Sequence, residues 1–401
     1  MRIAVLSCTI VPVPERHMTA NRYDTLDGWR GLAALAITFY HLPVAHPFRD
    51  LAGWKNLEFF VDFFFVLSGF VICHAWGKRL VTARDGWSFM QRRFWRVWPL
   101  HIIILGAFFL LEAAKWVALQ KASGLGADPA FTGPTSLPAL LSNILMLQSL
   151  NLHGTTTWNG PAWSISVEFW TYLVFAAVML FAKGRLAAMV LIALGGAAMV
   201  ALFSPIWLFA THDFGLPRAL YGFFAGAITY RLMSHWRVGA LATPGLALEI
   251  GVLAIAGLWM AMTGKNASSM LAPLVFAAIV VVFSHGTGAV SRFLRSKPVQ
   301  ALGLWSYSIY LVHTLIFFGL RFALVTLEKV TGWKLTLSGD GSSRVFTFGS
   351  DLANAGVILA LLGLTVAISA FTYRFIEKPF MVSGPAENPS KGPAGVAIAL
   401  R

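Results

Sequence analysis

The sequence predicts an all-α fold: a polytopic membrane protein whose helical bundle has about ten transmembrane helices, with both termini in the cytoplasm. Of its 401 residues, 57% are hydrophobic and only 12% are charged, whereas roughly 25% of the residues in a soluble domain are charged. The apolar residues form continuous runs of about 20 residues, the length with which an α-helix crosses the hydrocarbon core. Because polar and apolar residues do not alternate in these runs, the runs indicate helices rather than barrel strands.

Ten apolar runs are predicted to span the membrane. In chain order they lie near 28–45, 58–76, 98–117, 163–182, 186–204, 216–233, 246–262, 270–285, 302–323 and 352–375. Most of the 31 lysine and arginine residues fall in segments on the same side as the N-terminus. Since cytoplasmic loops carry the excess of basic residues, this distribution places both termini in the cytoplasm. The predicted location is the cell (inner) membrane.

The chain divides into three predicted regions: a cytoplasmic extension over 1–26, a membrane domain over 27–380, and a disordered cytoplasmic tail over 381–401. The net charge of +14 would suggest nucleic acid as the partner of a soluble protein. Here the basic residues cluster in short loops, so membrane lipids are the predicted partner and nucleic acid is not. The two cysteines, Cys8 and Cys73, lie far apart in the chain, and we predict neither a disulfide framework nor a metal site.

Three ionisable residues in three predicted spans are candidate catalytic residues, because such residues are costly inside a membrane. His41 lies roughly 20 Å above the inner boundary, and Asp62 about 8 Å below the outer one, at 1.5 Å per helical residue. Glu168 has the same relative position in its span as Asp62. The three side chains are therefore expected in one outer layer, where a histidine beside carboxylates suits general base catalysis. The alternative is a buried polar network that only holds helices together.

Arg30 lies on the same face of the first span as His41, because eleven residues at 100° each complete about three turns. This layout fits a long anionic ligand that enters from the cytoplasm and extends toward His41. The alternative, that Arg30 only reaches the headgroups or pairs with Asp27, is equally compatible with this segment.

A cluster of arginines precedes the third span, in the segment SFMQRRFWRVWP. Arg92, Arg93 and Arg96 occupy adjacent helical turns, and clustered guanidinium groups suit phosphate binding. Basic residues flanked by aromatic ones are also what a cytoplasmic membrane boundary requires, so a purely topological role stays open.

Two further polar residues lie within spans. His313 is about 16 Å above the inner boundary, and is either a second site residue or a hydrogen-bonded structural histidine. Ser68 has no base at helical spacing, so we expect the pair Ser68 and Gly69 to permit close helix packing rather than to provide a nucleophile.

Six segments together resemble the acyltransferase 3 family of membrane O-acyltransferases. In chain order they are LDGWRGLAALAITFYH, VDFFFVLSGFVI, RRFWRVWPLH, NGPAWSISVEFWTY, GLWSYSIYLVH and YRFIEKPF. The resemblance covers nearly the whole membrane region. It implies an acyl-coenzyme A, usually acetyl-coenzyme A, as a co-substrate taken from the cytoplasm, with no permanently bound cofactor. It also implies an outward-facing hydroxyl of a glycan or glycolipid as the acceptor.

The resemblance also implies roles for residues in these segments. The family's arginine and histidine of the first span correspond to Arg30 and His41, and its arginine pair to Arg93 and Arg96. Its tryptophan and glutamate correspond to Trp163 and Glu168. The predicted catalytic residues are His41, Glu168 and Asp62; those predicted to bind coenzyme A are Arg30, Arg92, Arg93 and Arg96; and those predicted to contact the acceptor are Trp163, Tyr172 and His313.

The resulting hypothesis is that His41 removes the proton from an acceptor hydroxyl, which attacks the thioester carbonyl. An acyl-histidine intermediate is the alternative route. Rival functions are a transporter or flippase of a lipid-linked glycan, in which the buried groups would relay protons, and a non-catalytic scaffold. Glycan-assembly proteins or a second copy of the chain are the protein partners that these functions would allow.

Overall fold

The fold is described by a computed structural model over residues 23–121, 129–236, 244–338 and 344–382. The predicted extension and tail lie outside these ranges except for residues 23–26 and 381–382. The described residues are almost entirely helical. The helices are α1 (Asp24–Tyr40), α2 (Phe60–Trp76), α3 (Ala83–Lys121), α4 (Leu137–Ile144), α5 (Trp163–Phe181), α6 (Leu186–Phe203), α7 (Gly215–Trp236), α8 (Leu246–Met262), α9 (Ala272–Ser284), α10 (Ala289–Leu294), α11 (Lys297–Thr331), α12 (Asp351–Thr372) and α13 (Lys378–Val382).

Each of the ten predicted spans coincides with an α-helix. The largest difference is in the third span, which begins near residue 98 in the prediction but belongs to the 39-residue helix α3. The basic segment before it is therefore the first part of the same helix. Pro99 lies inside α3, and proline is tolerated in membrane helices because neighbouring groups satisfy the freed backbone.

Seven helical segments are long and apolar enough to cross a membrane by length and composition. They are Trp54–Trp76, Ala83–Val117, Gly160–Phe181, Leu186–Phe203, Ala267–Ser284, Lys297–Thr331 and Asp351–Met381. Of the remaining predicted spans, α1 and α8 have 17 residues each, and α7 contains Arg218 and Arg231. The chain is thus a multi-pass membrane protein, while the count of ten crossings and the cytoplasmic termini stay predictions.

The centre of the bundle is a close crossing of α2 and α7 at two glycines. A Cβ atom on Gly69 would lie 1.8 Å from the carbonyl oxygen of Phe223, and one on Gly226 would lie 1.8 Å from that of Val66. No side chain fits at either position, so the two backbones are in direct contact. The expectation that Gly69 permits close helix packing is confirmed.

A second close crossing joins α1 to α11. A Cβ atom on Gly31 would lie 2.6 Å from the backbone nitrogen of Gly303, and one on Gly303 would lie 2.3 Å from the carbonyl oxygen of Asp27. This crossing fixes α1 against α11, and the ten-residue stretches that follow the two glycines carry His41 and His313 along the same interface.

The chain beyond α1 is held by a small sheet. Strands β1 (Thr336–Ser338) and β2 (Val345–Phe346) pair in antiparallel fashion. The backbone of Phe346 donates to the carbonyl of Pro43 at 2.8 Å and accepts from the amide of Ala45 at 2.8 Å. The segment that follows His41 is therefore tied to the connection between α11 and α12.

Candidate functional site

A cavity lies between α1, α2, α3, α5 and α11, and holds about 860 Å³ of empty space including its open side. Its charged and hydroxyl-bearing lining consists of Arg30, Ser68, Arg93, Arg96, Ser164, Glu168, Tyr172, Ser306, Tyr307 and Tyr310. The lining thus presents three guanidinium groups, and guanidinium donors suit an anionic ligand.

The cavity is elongated along the helices. On α2 its lining extends from Val61 to Ile72, eleven residue steps that correspond to roughly 16 Å of helix. Ser164 and Tyr172 lie eight residues, or roughly 12 Å, apart along α5, with Arg93 beside Tyr172 and Tyr310 beside Ser164. This length accommodates an extended chain rather than a compact ligand.

The predicted arginine cluster contributes two residues to the cavity, Arg93 and Arg96. Arg93 is only 9% exposed, its Nε atom has no hydrogen-bond partner, and its guanidinium carbon lies 5.8 Å from the centre of the Tyr172 ring. Arg96 forms an ion pair with the buried carboxylate of Glu377. Since a buried guanidinium with an unsatisfied donor is costly, Arg93 is the arginine best prepared to bind an anion.

The other two predicted arginines differ in position. Arg30 lines the cavity and also lies 3.6 Å from Asp27. Its position is therefore compatible with both roles that the sequence allows, ligand binding and pairing with Asp27. Arg92 does not line the cavity, and its guanidinium carbon lies 6.0 Å from the centre of the Trp76 ring. The sequence spacing placed Arg92 and Arg96 on adjacent turns, but Arg92 faces away from the cavity.

Glu168 lies within the cavity and accepts hydrogen bonds from two hydroxyl groups. Ser68 Oγ donates to Glu168 Oε1 at 2.8 Å, and the Tyr172 hydroxyl donates to the same oxygen. Ser68 comes from α2 and Tyr172 from α5, so the carboxylate joins the two helices. This contact also supplies a partner for Ser68 that helical spacing within one segment does not reveal.

His41 and His313 form a pair of imidazole rings at the α1 and α11 interface. The distance from His313 Nε2 to His41 Nδ1 is 3.3 Å. His313 Nδ1 lies 3.1 Å from the carbonyl oxygen of Ile309, and His41 Nδ1 lies 2.9 Å from that of Ile37. His313 is fully buried, whereas His41 is partly exposed.

The backbone contacts determine the tautomers of the two rings. A carbonyl oxygen only accepts hydrogen bonds, so each Nδ1 atom carries the proton. The His41 Nδ1 proton is then shared between the Ile37 carbonyl and the bare Nε2 of His313. His41 Nε2 is left without a proton, which is the state that a general base requires.

The histidine pair lies next to the cavity, at the end opposite Arg93. The ring centres of His313 and Tyr310 are 6.0 Å apart, and Tyr310 lines the cavity. On α1, Arg30 and His41 are separated by eleven residues, or roughly 16 Å. A ligand whose anionic end contacts the arginines can therefore extend its other end toward His41.

Asp62 has a separate environment. Its two carboxylate oxygens accept from Arg218 Nε at 3.0 Å and from Arg218 Nη2 at 2.6 Å. Both side chains are almost completely buried, and the Arg218 guanidinium carbon lies 5.1 Å from the centre of the Trp163 ring. Asp62 and Trp163 therefore belong to a buried ion pair with its aromatic neighbour, outside the cavity lining.

The comparisons with known proteins agree on one family. The profile of the acyltransferase 3 family, described as an acyltransferase domain, matches residues 23–374. The chain belongs to the acyltransferase 3 family. It is 25% identical to the acyltransferase MdmB of Streptomyces mycarofaciens over 90% of this chain and 92% of that protein. No solved structure matches the chain at a significant level.

Two other relatives extend the comparison. Protein 2 in the picA locus of Rhizobium radiobacter is 36% identical over 39% of this chain and 82% of that protein. The peptidoglycan O-acetyltransferase OatA of Listeria monocytogenes is 24% identical over 90% of this chain but only 56% of its own length. The acyltransferase 3 chain described here is thus an enzyme that transfers acyl groups, a membrane O-acyltransferase.

The structure separates the three residues that the sequence places in one layer. Glu168 contacts Ser68 and Tyr172, His41 contacts His313, and Asp62 contacts Arg218. The depth estimate was wrong for Glu168, which contacts Ser68, six residues or roughly 9 Å beyond Asp62 along α2. It also gives no direction in which a side chain points. The catalytic roles of all three residues in this acyltransferase 3 chain remain predictions.

Sequence reasoning missed Arg218 and Glu377, the partners of Asp62 and Arg96. Arg218 is 1% exposed and lies at the beginning of a predicted span. The cost of an ionisable residue inside a membrane, which singled out Asp62, could therefore have identified Arg218 as well. Glu377 lies in a π-helical turn, Tyr373–Glu377, within a segment that resembles the family. It also accepts from Ser308, so α3, α11 and the end of α12 meet at one carboxylate.

Proposed function

We propose that this enzyme transfers an acetyl group from cytoplasmic acetyl-coenzyme A to a hydroxyl of a glycan or glycolipid outside the cell membrane. The observation that carries the proposal is the cavity, which is lined by arginines at one end and lies next to the tautomer-defined histidine pair at the other. An anionic head with a long arm and a reactive thioester at its tip matches this arrangement.

The donor would be held by its phosphates and threaded along the cavity. Arg93 and Arg30 would bind the phosphate groups, since guanidinium donors match phosphate geometry. Arg96 is neutralised by Glu377 and would contribute donors rather than net charge. The pantetheine arm would lie along α2, past Ser68 and Glu168, and bring the thioester beyond Tyr310.

The histidine pair would carry out the proton transfer. His41 Nε2 takes the proton of the acceptor hydroxyl, while the hydroxyl oxygen forms a bond to the thioester carbonyl carbon. The carbon to sulfur bond then breaks, and the coenzyme A thiolate leaves and takes the proton from the imidazolium. The products are the O-acetyl ester and free coenzyme A, so no further reactant is needed.

His313 would orient His41 and stabilise its charged form. The bare Nε2 of His313 faces the His41 Nδ1 proton, which becomes a stronger donor once His41 is an imidazolium. The hydrogen-bond acceptor in this contact is the neutral imidazole of His313, so no buried carboxylate is needed to orient His41. Glu168 would position the donor arm in this scheme, since it contacts Ser68 and Tyr172 rather than His41.

Replacing Arg93 tests donor binding. The variant Arg93→Gln is expected to raise the KM for acetyl-coenzyme A about tenfold to 100-fold, because hydrogen bonds to charged groups contribute about 1.5–3 kcal/mol. The neighbouring variant Arg92→Gln is the matched control, since Arg92 does not line the cavity. Steady-state kinetics of the purified enzyme in lipid nanodiscs measure both. Equal KM values for the two variants would contradict this donor site.

Replacing His313 tests the proposed orientation of His41. His313→Leu is expected to lower kcat roughly 100-fold, the lower range of a general base contribution, with little change in the KM for acetyl-coenzyme A. His313→Gln retains an acceptor toward His41 and is expected to recover part of this loss. A buried histidine with a backbone partner, His101, provides the control variant His101→Leu. If His313→Leu and His101→Leu have the same kcat, His313 is only structural.

A further inference from the structure

An arginine pair lies on the outward side of His41. Arg49 lies in the 3₁₀ turn Pro47–Asp50, and its Nη1 donates to the carbonyl of Leu42 at 3.2 Å. Leu42 belongs to a buried cluster with Phe317 of α11, against which Leu320 also packs. This packing places the turn of Arg49 beside the segment of α11 that carries Arg321.

Arg321 extends from α11 toward His41. It lies eight residues, or roughly 12 Å, beyond His313, and helical side chains point back toward the N-terminus of their helix. Arg321 follows Phe317 by one helical turn, and Phe317 packs in the same cluster as Leu42, the residue after His41 whose carbonyl accepts from Arg49. The two guanidinium groups are therefore near each other and near the proposed general base.

The charges of this arginine pair are not compensated within the described part of the chain. Neither Arg49 nor Arg321 forms an ion pair with a carboxylate there. The Nε atom of Arg321 is buried and has no hydrogen-bond partner. Two like charges that are partly removed from water, one with an unsatisfied donor, are unfavourable until an anion binds between them.

The carboxylates of Asp50 and Glu58 lie in the same outer segment as Arg49, and among the described residues neither forms an ion pair with Arg49 or Arg321. Asp50 is exposed, whereas Glu58 faces another group. It acts on Tyr40, as Arg49 does, but the charges that act on Glu58 come from Arg218, Asp62 and Lys265. Glu58 thus lies toward the buried ion pair of α2 and α7. The charges of Arg49 and Arg321 are therefore not paired by either carboxylate.

We propose that Arg49 and Arg321 bind an anionic group of the acceptor, a phosphate or a carboxylate, and thereby hold its hydroxyl at His41. This inference rests on the proposed function and narrows it to acceptors that carry a negative charge close to the acetylated hydroxyl. Arginine matches both phosphate and carboxylate through paired donors. The donor's phosphates are excluded as the occupant, because Arg93 and Arg30 lie at the opposite end of the cavity.

The competing explanation is that both arginines contact the phosphates of the outer lipid leaflet. Arg321 lies 24 residues after Lys297, roughly 36 Å along α11, which exceeds the hydrocarbon thickness of about 30 Å. The proximity of Arg321 to His41 and its buried Nε favour a ligand of the site over a headgroup. The experiment below separates the two.

The first part of the experiment measures acceptor binding. Acceptor extracted from the cells in which the chain occurs is supplied as a dilution series to purified enzyme in nanodiscs with acetyl-coenzyme A. The variants are Arg49→Gln, Arg321→Gln and the double variant, with Lys55→Gln as control, since Lys55 is exposed in the same outer segment. Each arginine variant is expected to raise the KM for the acceptor about tenfold and to leave the KM for acetyl-coenzyme A unchanged.

The second part identifies the source of the anion by competition. Methyl glucuronide supplies a sugar carboxylate, geranylgeranyl diphosphate supplies a lipid diphosphate, and methyl glucoside is the neutral control. Inhibition by one of the two anions that is lost in the double variant supports the proposal and names the source. Inhibition of the wild type by neither anion, or an acceptor KM unchanged in the double variant, overturns it.

Two further outcomes are separated by design. If exchanging phosphatidylcholine for phosphatidylglycerol in the nanodisc stabilises the wild type but not the double variant, while the acceptor KM is the same in both, the arginines bind headgroups and the proposal is wrong. If purified wild-type enzyme supplied with acetyl-coenzyme A and acceptor forms no O-acetyl ester, the proposed function itself fails. Loss of transfer in His41→Ala together with unaltered acceptor kinetics in the double variant overturns this inference alone.

Discussion

Replacing His41 with alanine is expected to abolish acetyl transfer while the protein still inserts into the membrane. The substitution removes the Nε2 atom that takes the proton, and general base catalysis contributes about 10²–10⁴-fold to a rate. His41 is partly exposed and lies at the end of α1, so the fold loses little packing. The measurement is the release of coenzyme A by purified enzyme together with the O-acetyl content of the acceptor.

The control for this variant separates catalysis from folding. His41→Ala and wild type are expected to show the same size-exclusion profile and about the same thermal unfolding temperature. Retained acetylation of the acceptor by well-folded His41→Ala would contradict the role of His41 as the general base. It would also indicate that another residue of the enzyme takes the proton of the acceptor hydroxyl.

Replacing Asp62 is expected to destabilise the protein rather than to act on catalysis directly. Asp62→Ala leaves the guanidinium of Arg218 buried without its carboxylate, and removing one member of a buried ion pair costs about 3–5 kcal/mol. The same substitution at Asp50, an exposed carboxylate of the outer turn, is the control and is expected to have almost no effect. Thermal unfolding and the yield of monodisperse protein measure the difference.

A double variant decides whether Asp62 also has a catalytic role. Asp62→Leu with Arg218→Met replaces the ion pair with apolar side chains of similar volume, which is often neutral or stabilising. We expect it to recover the stability that Asp62→Ala loses, and to recover transfer activity with it. A stable double variant without activity would show that Asp62 acts in the reaction, contrary to its position outside the cavity.

The helices of this protein were predictable from the sequence because the solvent is hydrocarbon. A run such as 186–204 has no conformation in a bilayer other than a helix that satisfies its own backbone, and α6 follows it closely. The boundaries of α3 and α11 were not predictable to the same degree. Both helices continue beyond the apolar part, so that polar residues such as Arg93 belong to the helix without belonging to the apolar run.

The arginine lining of the cavity was also largely predictable. Arg93 and Arg96 were identified from their spacing, and Arg30 from the helix face that it shares with His41. Their common cavity is consistent with those patterns. Arg92 lies outside this lining, since charge spacing along a helix does not show which neighbouring helix covers each side, and its binding of coenzyme A stays a prediction.

The contacts between helices could not be predicted, because they depend on how the helices rotate against each other. The 3.3 Å contact of His313 with His41 follows from the crossing of α1 and α11 at Gly31 and Gly303. Likewise, the contact of Ser68 with Glu168 follows from the packing of α2 beside α5. Neither distance has a signature in a single segment of the sequence.

We propose that the enzyme uses acetyl-coenzyme A on the cytoplasmic side and its acceptor on the outer side. Sealed right-side-out vesicles, made from cells that contain the chain, test it directly when radiolabelled acetyl-coenzyme A is supplied either inside or outside. The account predicts labelled O-acetyl ester on outward-facing glycan only when the donor is inside, and none in vesicles that carry His41→Ala. Labelling that requires the donor outside would contradict the account.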